Sequence, residues 1–147
     1  MIEIDDPFTK PELLATFGSI HRVVSDYFAS IPAEKFFDHP PAVWSPAENL
    51  VHLIKSVSPV AKAMKLPTLL LFILFGAPKK SSKRFIQIVE EYRRVLAKGA
   101  RATAQYVPAV EEKPVDFEQA KQGVLRKWDE VSDRLMGILQ RWDENSL

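Results

Sequence analysis

Apolar residues recur along this chain at intervals of three and four, and no stretch alternates with period two for long enough to suggest a strand, so the pattern predicts an all-α fold. The first stripe, Leu13, Phe17, Ile20, Val24, Tyr27 and Ile31, predicts a helix over about residues 11–31 that Pro32 ends. A second helix, about residues 45–64, has the clearest start signal. Ser45-Pro46-Ala47-Glu48 places a serine at the N-cap, a proline at the first helical position and a glutamate where it can complete a capping box. Leu50, Leu53, Ile54 and Val57 supply its apolar face, and Trp44 is placed to pack over its first turn or against Asn49. Pro59 removes a backbone donor within this helix and predicts a kink near Lys55.

Next comes the one strongly apolar run, Leu66 to Phe75, bounded by Lys65 and by Gly76-Ala-Pro-Lys-Lys80. A membrane span needs about 20 residues, roughly twice this length. The run is expected to be a buried short helix or an oligomer contact rather than a membrane contact. A helix over about 83–100 follows, with Phe85, Ile88, Val89, Tyr92, Val95 and Leu96 on one side and Glu90, Glu91, Arg93, Arg94 and Lys98 on the other. After a linker over residues 102–114, a long helix of about 116–142 carries Phe117, Ala120, Val124, Trp128, Val131, Leu135, Ile138 and Trp142 in steps of three and four. At about 1.5 Å per residue it is roughly 40 Å long. Such a seam needs a partner along its length, and the residues after Trp142 supply no further helix. The expectation is a single domain over 1–147.

Composition narrows the chemistry. With 46% hydrophobic and 27% charged residues, the chain of 147 fits a folded domain rather than a disordered one. The absence of cysteine excludes disulfides, thiolate zinc sites and thiol nucleophiles. The start, Met1 to Pro7, is acidic and leads into no apolar stretch, so no targeting segment is read there and a cytoplasmic location is expected. Charge is balanced in total but not in placement. Residues 1–50 hold 3 basic and 8 acidic groups, whereas residues 78–101 hold 8 basic and 2 acidic ones: Lys79, Lys80, Lys83, Arg84, Arg93, Arg94, Lys98 and Arg101 against Glu90 and Glu91. With little aromatic interleaving to stack bases, this block reads as a solvated face, and a nucleic-acid partner is not expected.

Only three histidines can serve metal or acid–base chemistry: His21, His39 and His52. Their spacings match no local ligand motif. Glu48 lies four residues before His52, so the two share a helix face with Asn49, Lys55 and Ser56, either as a site or as the solvent side of an amphipathic helix. His21, at the edge of the first apolar stripe, reads as a partly buried structural residue, and His39, before Pro40-Pro41, as a solvated loop residue. No glycine-rich phosphate loop and no nucleophile-elbow pattern is present.

Taken together, Trp44-Ser-Pro-Ala-Glu-Asn-Leu-Val-His52-Leu53 resembles the helix-two signature of the DinB/YfiT-like superfamily, W-S-x-x-E-x-x-x-H-L. The Leu66–Gly76 run, Pro78-Lys with Ser81-Ser82, Tyr92-Arg-x-x-Leu96 and Pro108 resemble an insertion common in one branch of it. The resemblance spans about residues 10–142. It implies an up-down four-helix bundle with an inserted helical segment between bundle helices two and three. It also implies a divalent metal, zinc or nickel, held in part by His52 with Glu48 nearby, and metal-dependent transfer of a small thiol such as bacillithiol to an electrophile, or hydrolysis of a conjugate. Two further histidines, a turn apart on a later helix, complete the metal site in that superfamily, and nothing after His52 here is a histidine. Two expectations compete: the chain is a piece of a longer frame, or it is a short form with an incomplete metal site. A homodimer is expected from the two apolar surfaces, 117–142 and Leu69–Phe75. A non-catalytic module acting by self-association or partner binding is the alternative function.

Overall fold

A computed structural model describes residues 6–41, 43–76, 83–109 and 114–142. Those residues form helices and connections, with no strand among them: α1 (Lys10–Ser30), α2 (Ala33–Phe36), α3 (Pro46–Ala63), α4 (Thr68–Phe75), α5 (Phe85–Ala97), a 3-10 turn (Ala104–Tyr106) and α6 (Phe117–Arg141). The all-α expectation holds, and the four long helices lie within a few residues of their predicted limits. α3 continues through Pro59 to Ala63.

Local chemistry sets the helix starts. Ser45 Oγ accepts from Glu48 N–H at 3.1 Å while the Glu48 carboxylate accepts from Ser45 N–H at 2.6 Å. These bonds satisfy two donors that the first turn leaves orphaned. At α1 the Glu12 carboxylate accepts from the Phe8 and Thr9 amides at 3.0 and 2.9 Å, and Asp116 caps α6 by accepting from Gln119 N–H at 2.9 Å. The short α2 had no stripe to announce it, yet it buries Ala33 and Phe36.

α6 is the centre of the fold, with α1, α2 and α3 all packed on it. One core cluster joins Phe28, Phe36, Ala47, Leu50, Leu125, Trp128 and Val131, and a second joins Ala61, Leu135 and Ile138 beside Phe17, Met64 and Trp142. The α6 seam is thus covered within the chain along most of its length. That corrects the expectation that it waits for cover and removes one of the two grounds for a homodimer. Polar fasteners reinforce the packing. Lys121, itself buried, donates to the Ala29 and Ile31 carbonyls at 2.7 Å each, a cation at the α1 C-terminus where helix carbonyls lack partners. Trp142 Nε1 donates to Met64 O at 2.7 Å, which ties the end of α6 to the end of α3.

α4 and α5 stand apart from this core. Leu69 and Ile73 are 71% and 68% exposed, Phe72 and Leu74 are also exposed, and α5 has no buried residue. Burial of the apolar run inside the chain is therefore not what the described residues show. No helix among the described residues is long and apolar enough to cross a membrane.

Candidate functional site

The motif residues of α3 form one wall of a cleft of about 470 Å³, lined by Trp44, Pro46, Asn49, His52 and Leu53, with Tyr27 and Phe28 of α1 opposite. Helical spacing explains the wall, since Asn49, His52 and Leu53 rise from successive turns of one face. The Trp44 and His52 rings are 5.1 Å apart at 49°. Trp44 is held by Asn49, whose Nδ2 donates to Trp44 O at 3.2 Å and to Ser45 O at 2.9 Å. Asn49 thus ties down the turn before the helix, and its Oδ1 remains as an acceptor at the cleft.

His52 is fixed from behind. Its Nδ1 lies 2.9 Å from Tyr106 O, and a carbonyl can only accept, so Nδ1 carries the proton and the Nε2 of a neutral ring keeps its lone pair. One turn further along, Lys55 Nζ donates to Val107 O at 2.7 Å. The 3-10 turn and the residue after it are thereby strapped to α3. The 54-residue separation of His52 and Tyr106 left no local signal by which the sequence could reveal this pairing.

Glu48 points elsewhere. It is 8% exposed and accepts from His39 Nδ1–H at 2.6 Å as well as from Ser45 N–H. Burial acts to raise its pKa; the Ser45 amide, the His39 imidazole and the Ser45 hydroxyl act in the opposite sense and prevail, so the carboxyl is held below the ordinary glutamate value. His39 is exposed in a loop, as expected, and also partners this buried carboxylate. The solvent-side reading of Glu48 and His52 also fails, since Glu48 is buried and His52 half-buried. His21 does take the structural role read from its position. Its Nε2 is 2.9 Å from Asp129 Oδ1, which also accepts from Ser25 Oγ at 3.2 Å, while Ser25 Oγ accepts from Trp128 Nε1 at 3.1 Å.

The donor set does not fit a three-imidazole metal. The three histidines are engaged separately, with Tyr106, Glu48 and Asp129, and no group of three or more His, Asp or Glu side chains that could hold a metal comes together among the described residues. The geometry offers an apolar, aromatic-walled cleft with one oriented imidazole acceptor and one amide oxygen. That arrangement can bind a small molecule carrying an S–H, O–H or N–H group beside an apolar body.

Compared with family models, with curated proteins and with solved structures, the chain gives no significant match.

Proposed function

We propose that the chain is a DinB/YfiT-like helical bundle that binds a small thiol or its conjugate in the α1–α3 cleft, with a metal site that is incomplete among the described residues. One observation carries this reading: the histidine of the helix-two motif lines the cleft, its ring tilted against Trp44, with Nδ1–H donated to Tyr106 O and Nε2 left as the acceptor. In the proposed complex Nε2 accepts from the ligand S–H, Tyr27, Phe28 and Trp44 enclose its apolar part, and Asn49 Oδ1 accepts a further donor. An imidazole acceptor beside a thiol favours the thiolate, the reactive form in transfer chemistry.

Calorimetric titration with bacillithiol tests the reading. The wild type is expected to bind, and His52→Ala to bind about tenfold more weakly, the loss of one hydrogen bond to the ligand. Zinc added to either protein is expected to leave no stoichiometric metal after dialysis. Equal bacillithiol affinity in the two proteins, or no binding by either, contradicts the proposal. A second reading, a non-catalytic self-associating module, rests on the exposed apolar surface of α4 and α5. It has lost the support of the α6 seam.

A further inference from the structure

α4 raises a question that the cleft does not answer. Its described side chains Leu69, Leu70, Leu71, Phe72, Ile73 and Leu74 are apolar on every side of the helix, and all but Leu71 are exposed. An apolar surface of this kind marks an interaction site. A protein groove buries one face of a helix and leaves the other in water, whereas a lipid layer surrounds it. An eight-residue helix is about 12 Å long, too short to cross a bilayer.

Charge selects between occupants. No carboxylate occurs between Glu48 and Glu90; of the described cations in that stretch, Lys55 is bonded to Val107 O, and Lys83 and Arg84 are paired with Glu91 and Asp6, which leaves Lys62 and Lys65 without an ion pair among the described residues. Lys62, in the last turn of α3, and Lys65, in the connection to α4, are both exposed. A second copy docking α4 on itself would bring the unpaired Lys62 and Lys65 of both copies together, with no carboxylate in the stretch around α4 to offset them. An anionic surface has the complementary sign. α5 is instead amphipathic, with Ile88, Tyr92, Val95 and Leu96 exposed on one face and Glu90, Glu91, Arg93, Arg94 and Lys98 on the other, where Arg93, Arg94 and Lys98 have no ion pair among the described residues. Nucleic acid matches the charge but gives an all-apolar helix nothing to contact.

We infer that α4, with the exposed Lys62 and Lys65 before it and the unpaired cations of α5, is a docking surface for an anionic lipid bilayer, α4 immersed at the acyl boundary and these lysines and arginines at the headgroups. This goes beyond the cleft and does not depend on what the cleft binds.

Vesicle flotation tests it, using phosphatidylglycerol mixed equally with phosphatidylcholine against phosphatidylcholine alone. The wild type is expected to float with the mixed vesicles and not with the neutral ones. Leu69→Asp/Ile73→Asp, which alters exposed positions only, is expected to lose flotation with its far-UV circular dichroism unchanged. Arg93→Gln/Arg94→Gln, which leaves α4 intact, is expected to bind about fivefold more weakly per cation removed, with a shallower salt dependence. Equal flotation on both vesicle types, none on either, or an undiminished Leu69→Asp/Ile73→Asp overturns the inference. So does a lipid-free dimer, seen by analytical ultracentrifugation, that the α4 variant dissociates, since the face then belongs to a second copy. Binding of an RNA oligomer in place of vesicles, unaffected by the α4 variant, overturns it in favour of nucleic acid.

Discussion

Glu48 combines a capping role with a buried charge. It closes the α3 capping box, accepts from His39 and sits buried between them. Glu48→Gln keeps a capping side chain but removes the charge, and is expected to cost about 1–2 kcal/mol near neutral pH, read from denaturant midpoints. Because the folded carboxyl titrates below its ordinary value, its contribution is full above the unfolded value and is lost as pH falls through the folded one. The stability gap between wild type and Glu48→Gln is therefore expected to narrow in acid, below the ordinary glutamate range, and to stay constant toward neutrality. Ser132 makes the opposite case. It is 1% exposed, and its hydroxyl has no hydrogen-bond partner among the described residues. Ser132→Ala is expected to be neutral or to gain up to about 1 kcal/mol, since it removes a buried polar group left unpaired. A clear loss in thermal or chemical denaturation would show that Ser132 has a role its surroundings do not reveal.

Among the elements, α6 organises everything that packs, and its polar fasteners are as local as its seam. Lys121→Met keeps the aliphatic stem but leaves the Ala29 and Ile31 carbonyls without their donor at the α1 C-terminus. A loss of about 1–3 kcal/mol is expected, with α1 amides near Ser30 exchanging faster than those of α6 in hydrogen exchange. The long helices were legible in the sequence because each carries a stripe over several turns, and α3 because its cap, proline and glutamate occur together. α2 was not legible, since four residues are too few to show a period. Within α6 the stripe pointed to Val124, while Leu125 is the more buried of the two. Neighbouring positions differ by a fraction of a turn, and only the placement of α1, α2 and α3 decides which is covered. The apolar run of α4 was visible; its exposure was not, because a hydrophobic pattern states that cover is needed and not whether the same chain provides it.

At the scale of the whole molecule, a core of α1, α2, α3 and α6 is complete along most of α6, and α4 and α5 leave apolar residues exposed outside it. The site divides in the same way between what the sequence shows and what only the fold assembles. His52, Trp44 and Asn49 lie within one motif, so their shared wall follows from helical spacing. Tyr27, Phe28 and the Tyr106 carbonyl come from distant parts of the chain, and His39 reaches Glu48 from a loop, so these contacts have no local signature. Ligand capture in the cleft requires the His52 ring to be fixed with Nδ1 protonated and Nε2 open. Long-range proton–nitrogen correlation spectra of His52 in uniformly labelled protein measure this directly. At a pH where the ring is neutral, the Nδ1–H tautomer is predicted, and titrating bacillithiol should shift Nε2 to saturation. An Nε2–H tautomer in the free protein, or an Nε2 resonance indifferent to the thiol, would contradict the account.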